Sequence, residues 1–409
     1  MIPVRLAVER TFRNESGAVL ASLIRVLGDF QLAEDAMHEA FTVALERWPE
    51  DGIPDRPAAW ITTTARRRAL DRIRREATAA RKQPDLARLA ELAGEEAAHE
   101  LGDAPAIEDD RLRLIFTCCH PALARPAQVA LTLRTLCGLS TEAIAAAFFV
   151  PQPTMAQRLV RAKKKIRLAK IPYEVPDRDV LHERLGAVLG VIYLVFNEGY
   201  FAREGTEAVV ADLCDEGIRL ARLLAELMVD EPEVLGLLAL LLLHDSRRRA
   251  RHRVLEEQDR SLWDQSAIEE GTALIQRALR MGRVGVYQLQ AAIAAVHAEA
   301  ERAADTDWRQ IALLYGELAR INPSPIVELN RAVAVSMADG AEAGLSLLER
   351  LAEVPELGDY QPYHAACADL LRRAGRTDEA RRAYRRALAA APNEVARAFL
   401  QRRVDELEG

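Results

Sequence analysis

The apolar and polar positions between residues 137 and 167 predict two short helices joined by a tight turn. Ser140 suits the N-cap of the first helix, after which Ile144, Ala145 and Phe148 fall on one side. Val150-Pro151 interrupts this pattern, and a second helix begins near the following prolines. Residues at helical spacing give the second helix an apolar stripe: Met155, Leu159, Ala162 and Ile166. This pattern predicts a helix-turn-helix.

The first 80 residues predict three more helices. Residues 16–47 form two of them around Gly28-Asp29, residues 49–57 form a loop, and the third helix runs from Ala58 to about Ala80. From Asp177 onward the pattern is again helical, and alternation typical of strands is absent from the chain. We therefore expect an all-α protein.

Two apolar runs and a repeat organise the C-terminal half. Residues 187–196 and 234–243 are apolar, which is too short to span a bilayer and favours buried helices. Near the end, apolar positions follow the spacing of a tetratricopeptide helix pair at Ala368, Leu371, Ala380, Tyr384, Ala387 and Pro392, with a weaker copy at Ala343, Leu347 and Pro355. Such pairs stack on their neighbours, so we expect a short solenoid.

Charge is unevenly distributed along the 409 residues. The chain carries a net charge of −7, but residues 1–82 carry +2, residues 83–110 carry −8, residues 111–171 carry +10 and residues 172–409 carry −11. The five cysteines are few and odd in number, and the first ten residues include Arg5 and Glu9. These features favour a cytoplasmic protein without a signal peptide.

Two helices carry the positive charge that nucleic-acid binding requires. Opposite its apolar stripe, the second helix of the helix-turn-helix presents Gln157, Arg158, Arg161, Lys164 and Lys165. The helix from Ala58 carries six arginines against two acidic residues, and Trp60 near its start could stack on an unpaired base. Taken alone, that helix could equally be an ordinary surface helix with a buried tryptophan.

Ordered motifs across nearly the whole chain resemble the extracytoplasmic-function sigma factors with a long C-terminal extension. In the first half they are LGDFQLAEDAMHEAF, AAWITTTARRRALDRIRR, FTCCHPAL and LSTEAIAAAFFVPQPTMAQRLVRAKKKI. In the extension they are VIYLVFNEGY, LALLLLHDSRR, LEEQDRSLWD, YQLQAAIAAVHA and PSPIVELNRAVAV. The resemblance implies core RNA polymerase and promoter DNA as partners.

The resemblance also assigns residues to those partners. It implies polymerase contacts at Asp35, His38, Glu39 and Phe41, where His38 replaces the family's usual glutamine. It implies −10 element contacts at Trp60, Arg66, Arg67, Asp71, Arg72, Arg74 and Arg75. It implies −35 element contacts at Thr154, Gln157, Arg158, Arg161, Lys164 and Lys165.

We accordingly divide the chain into a sigma region 2 domain (1–82), an acidic linker (83–108), a sigma region 4 domain (109–171), a helical extension (172–284) and tetratricopeptide-like repeats (285–409). The expected function is that of a non-enzymatic sigma factor whose acidic extension contacts and regulates the basic domains in cis, without a cofactor. The alternative is a helix-turn-helix regulator that senses a ligand and never binds core polymerase. A third hypothesis is an enzyme fused to a DNA-binding half.

Two residue sets invite other chemistry. Cys118, Cys119, His120 and Cys137 could bind zinc or sense oxidants, but adjacent cysteines rarely serve one tetrahedral site, so packing is the preferred interpretation. His244-Asp245 with His182 and Asp259 is faintly like a metal phosphohydrolase set. We expect instead that polar residues of the extension bond one another or line an effector cleft, namely Asn197, Glu198, His244, Asp245, Gln288, Gln290 and His297.

Overall fold

A computed structural model describes residues 4–80, 106–148, 150–200, 207–250, 253, 255–391 and 394–407. Within these ranges the regular structure is helical and no strand is present, which confirms the all-α class. The chain divides into two compact units, Met1–Leu227 and Met228–Gly409. The described helices include none with the length and apolarity needed to cross a bilayer. Most of residues 83–108, predicted as a linker, lie outside the described residues.

The first unit begins with a three-helix bundle of α1 (Val4–Leu27), α2 (Phe30–Asp51) and α3 (Pro57–Ala80). Gly28, at φ +62°, turns the chain out of α1, and the Asp29 carboxylate caps α2 by accepting from the Leu32 amide at 2.9 Å. The loop expected from Pro49 begins only at Gly52, because a proline in the last turn removes a single hydrogen bond from an exposed stretch of helix.

Four helices follow and form the helix-turn-helix module: α4 (Ala106–Cys118), α5 (Arg125–Thr135), α6 (Thr141–Ala147) and α7 (Gln152–Leu168). Two helices of the extension, α8 (Arg178–Tyr200) and α9 (Glu207–Leu227), complete the unit and pack against this module. The apolar run of residues 187–196 lies within α8 and is mostly buried, as expected.

The second unit contains nine described α-helices, here numbered in chain order. They are α10 (Pro232–Asp245), α11 (Gln265–Arg280), α12 (Val286–Glu299), α13 (Trp308–Ile321), α14 (Pro325–Asp339), α15 (Ala341–Glu349), α16 (Gln361–Arg373), α17 (Thr377–Ala389) and α18 (Glu394–Asp405). Every residue from Val234 to Leu243 is buried, because α11 and α12 both pack on α10. Successive helices then pair as the repeat predicts, and Ala368, Tyr384 and Ala387 form one buried cluster with α18.

Candidate nucleic-acid interface

The helix-turn-helix predicted from residues 140–166 is present in the structure. Ser140 caps α6, with its hydroxyl accepting from the Ala143 amide at 3.0 Å. Pro151 stands at the N-cap of α7. The predicted apolar stripe of α7 is buried in full at Met155, Leu159, Ala162 and Ile166. The opposite side of α7 is therefore fixed toward solvent by the packing of this stripe.

The solvent side of α7 carries the side chains assigned to the −35 element. Thr154, Gln157, Arg161, Lys164 and Lys165 are exposed, and Arg158 is half-buried. Within the described residues, none of the four basic side chains forms an ion pair. Cations held on a rigid helix without acidic partners can bind phosphates without first breaking an existing contact.

Helix α3 has one buried and one basic side. Ile61, Ala65 and Ala69 are buried against the bundle. The arginines assigned to the −10 element lie mostly on the other side: Arg67, Arg72, Arg74 and Arg75 are exposed and Arg66 is half-buried. Asp71 is also exposed and lies 3.8 Å from the Arg74 guanidinium. This side of α3 therefore combines a high positive charge with a local acidic group.

Trp60 is half-buried at the start of α3. Its ring meets the buried Trp48 ring edge to face, with 5.5 Å between the centroids. Trp48 thus supports one side of Trp60 while part of the ring stays accessible. A partly exposed aromatic ring at the N-terminal end of a basic helix can stack on an unpaired base.

The residues implied as polymerase contacts on α2 differ in accessibility. Glu39 is exposed, whereas Asp35 and His38 are half-buried and Phe41 is buried against Phe12, with ring centroids 5.0 Å apart. Burial lowers the pKa of His38, and the nearby Arg134 lowers it further. Phe41 therefore supports α2 from within the bundle instead of presenting a surface to a partner.

An ion pair joins two sets of residues that the sequence assigned to different partners. Arg72 on α3 lies 3.1 Å from the Asp35 carboxylate on α2. Both side chains are partly exposed, so the pair contributes little to stability. The ion pair places the arginine-rich side of α3 next to the acidic side of α2.

Comparisons with known proteins match this architecture. A family model for Sigma-70 region 2 matches residues 11–78, one for Sigma-70 region 4 matches residues 113–166, and a family of unknown function, DUF6596, matches residues 184–279. An uncharacterized protein of Rhizobium meliloti (strain 1021) is 47% identical over 397 residues, which cover 95% of this chain and 93% of the relative. The chain belongs to the extracytoplasmic-function sigma factors. Its three-helix bundle corresponds to region 2, its helix-turn-helix module to region 4, and its remaining helices to a C-terminal extension.

The first helices of the extension contact the sigma factor's helix-turn-helix module through arginines. Arg125 of α5 donates to the Ala187 carbonyl at 2.8 Å, and Arg184 of α8 donates to the Phe116 carbonyl at 3.0 Å. Arg219 of α9 donates to the Leu136 carbonyl at 2.8 Å. The Phe116 and Leu136 carbonyls lie near the C-terminal ends of α4 and α5, so Arg184 and Arg219 add hydrogen bonds where those helices end.

The polar residues expected to line a cleft in the extension fall in both compact units. Asn197 and Glu198 belong to the first unit, and burial raises the pKa of Glu198. In the second unit, Gln288 donates to the Glu233 carboxylate at 3.1 Å and to the Arg283 carbonyl at 2.7 Å. Gln290 is half-buried, and Asp245 pairs with Arg248 at 2.8 Å. Gln288 and Asp245 of the second unit therefore already have polar partners.

His244 and His297 share the electrostatic influence of Arg247 in the second unit. Arg247 donates to His244 Nδ1 at 2.7 Å, and Arg260 donates to the His297 carbonyl at 2.6 Å. Burial lowers the pKa of His244 to about 3 and that of His297 to about 4, and Arg247 lowers both further. Both rings are consequently neutral near pH 7, and the neighbouring arginines supply the local charge.

The cysteines of the helix-turn-helix module are buried packing groups. Cys118 Sγ lies 3.3 Å from the Thr135 hydroxyl, and Cys119 Sγ lies 3.7 Å from the Thr132 hydroxyl. His120 Nδ1 accepts from the Ala122 amide instead of facing the thiols. Burial raises the pKa of Cys119 to about 12. Among the described residues, no group of three or more His, Cys, Asp or Glu side chains is placed so that it could hold a metal ion.

Three residues of the first unit, Glu34, Arg134 and Lys163, were not among the site residues predicted from the sequence. Glu34 on α2 is 5% exposed and pairs with Arg134 of α5 and Lys163 of α7. Glu34 has one adjacent acidic residue, Asp35, and Lys163 lies in a run of three lysines. Neither sequence pattern distinguishes the buried member from its exposed neighbours, so only the packing of the two modules identifies them.

Proposed function

We propose that this sigma factor binds core RNA polymerase through α2 and directs it to promoters. In this proposal α3 captures the −10 element and α7 reads the −35 element. The observation that carries the proposal is the solvent side of α7, where four basic side chains have no ion-pair partner within the described residues. A basic helix with a buried opposite stripe is suited to the major groove.

The division of labour follows from the two basic helices. The arginine and lysine side chains on the solvent side of α7 are suited to binding duplex phosphates, whereas α3 combines arginines with a partly exposed Trp60. Opening a duplex requires bases to be held outside the stack, and stacking on an aromatic ring contributes ~1–3 kcal/mol per base. The proposed source of opening is therefore capture of the single strand.

Reconstitution with core polymerase tests this function. The full-length protein should co-elute with core enzyme and support run-off transcription from a promoter library. Arg158→Ala and Arg161→Ala should weaken transcription from −35-dependent promoters. Arg13→Ala is the charge-matched control, because Arg13 is an exposed residue of α1. A protein that binds duplex DNA but never co-elutes with core enzyme would instead be the ligand-sensing regulator.

We further propose that the extension regulates the sigma modules in cis, in the compartment where polymerase acts. The contacts of Arg184 and Arg219 with the helix-turn-helix module support this proposal, as does the net charge of −11 on residues 172–409. Removal of residues after Ile171 should change the yield of run-off transcript. Equal transcription by the truncated and full-length proteins would refute regulation by the extension.

A further inference from the structure

The buried carboxylate of Glu34 is satisfied entirely from another module. Glu34 belongs to the three-helix bundle, yet its ion-pair partners are Arg134 of α5, with 3.2 Å between Nε and Oε1, and Lys163 of α7. The side chains of Arg134 and Lys163 are only 20% and 15% exposed. A carboxylate buried to this degree requires charged partners. The Glu34 environment therefore exists only while the two modules are together.

A second set of contacts closes the same interface. Asp110 of α4 is buried and lies 2.8 Å from Arg25 of α1. The Tyr173 hydroxyl lies 2.8 Å from the Ala21 carbonyl. Gly17 of α1 approaches the α5–α6 connection so closely that an added Cβ would lie 3.1 Å from the Leu136 carbonyl oxygen. The two modules thus meet along α1 and α2 in a defined register.

This interface occupies surfaces that the proposed function requires. Glu34 precedes Asp35 on α2, and His38, one turn later, lies 3.4 Å from the Arg134 guanidinium. Lys163 belongs to α7, the helix proposed to read the −35 element. Helix α7 therefore presents one side to solvent and another to α2, and the helix-turn-helix module covers part of the proposed polymerase-binding surface.

The contacts are also of a kind that can be reversed. Ion pairs at a buried interface gain little net free energy, because each group loses its hydration, and they mainly determine which surfaces fit together. Next to the pair a cavity of about 400 Å³ remains, lined by Phe30, Val160, Lys164 and Arg167 among others. Incomplete packing of this kind leaves a route for water when the modules separate.

We infer that Glu34, Arg134 and Lys163 form an autoinhibitory lock that holds the two DNA-binding modules together, and that core polymerase must displace the helix-turn-helix module to reach α2. The inference rests on the proposed function. A partner that binds only the open form has an apparent dissociation constant equal to the intrinsic one divided by the open fraction. Weakening the lock from the helix-turn-helix side therefore increases affinity for core enzyme without altering α2.

The test compares two basic residues of the first unit in the full-length protein. Lys163→Ala removes a lock residue, whereas Arg13→Ala removes an exposed cation of α1 that is assigned neither to the lock nor to DNA binding. We expect Lys163→Ala to bind core polymerase roughly tenfold more tightly, which is within the usual range of coupling between sites. Arg13→Ala should bind like the wild type, and the conservative Lys163→Arg should preserve the closed form and its affinity.

Distance measurements identify the physical cause. Spin labels at Glu46→Cys and Leu168→Cys, both exposed, report the separation of α2 and α7 in a Cys367→Ser background. Lys163→Ala should lengthen this distance in the free protein. If Lys163→Ala lowers the melting temperature severely, Arg134→Gln tests the same lock from α5.

The outcomes separate this inference from the proposed function. If the wild-type protein binds core polymerase and both Lys163→Ala and Arg134→Gln bind it with the same affinity as the wild type, the lock is refuted. This holds even if the distance between the two spin labels increases. Tighter binding with a longer distance supports it. Failure of the wild-type protein to bind core polymerase at all refutes the proposed function itself.

Discussion

The salt dependence of −35 duplex binding tests the role of α7. Four basic side chains on its solvent side lack ion-pair partners within the described residues: Arg158, Arg161, Lys164 and Lys165. If each neutralises one phosphate, the logarithm of the binding constant should fall with the logarithm of salt concentration with a slope of about −3.6. Affinity should then fall roughly 150-fold between 50 and 200 mM salt.

Arg161→Ala removes one of these contacts. The slope should become about −2.7, and the same salt change should cost roughly 40-fold. Fluorescence anisotropy with a labelled promoter duplex measures both slopes. Arg13→Ala makes the same change in net charge on exposed α1 and should leave the slope unchanged. Equal slopes for Arg161→Ala and the wild type, or an equal effect of Arg13→Ala, would refute a direct phosphate contact and indicate a general effect of charge.

Further predictions concern opening, folding and acid stability. Trp60→Ala should retain duplex binding but reduce promoter opening about tenfold, measured by fluorescence of a base analogue in the −10 element, because a stacking surface is lost. Ser140→Ala should lower the free energy of unfolding by about 1 kcal/mol in urea titrations, because the cap of α6 is lost. Folding lowers the pKa of His244 from near 6.5 to about 3. The buried neutral ring therefore contributes to stability above pH 6.5, and this contribution is lost as the pH falls toward 3. The urea midpoint should therefore decline between pH 7 and pH 4.5, and His244→Gln should reduce that decline; a decline of equal size in the variant would assign the effect to other groups.

Local sequence signals predicted the elements because each depends on neighbouring residues. The cap at Ser140, the stripe of α7 and the apolar run of α10 all require only helical spacing and a few special positions. The loop after α2 begins at Gly52, three residues later than predicted, because Pro49 is tolerated in the last turn of an exposed helix end. Periodicity therefore located helices more reliably than it located their ends.

The sequence predicted the exposure of candidate site residues only where the apolar pattern of a single helix determines which residues face solvent. The basic side of α7 follows from its sequence, since its apolar stripe determines which residues face solvent. The burial of Phe41 and the ion pair between Asp35 and Arg72 depend on neighbouring helices, and so were not predicted. The buried Glu34 requires the packing of two modules far apart in sequence, which no local pattern encodes.

Transcription with purified core polymerase tests the central claim most directly. The wild-type protein should co-elute with core enzyme and produce run-off transcript from selected promoters, whereas core enzyme alone should not initiate there. A protein that binds those promoters as duplexes yet neither co-elutes with core enzyme nor yields transcript would contradict the assignment of polymerase recruitment to this chain.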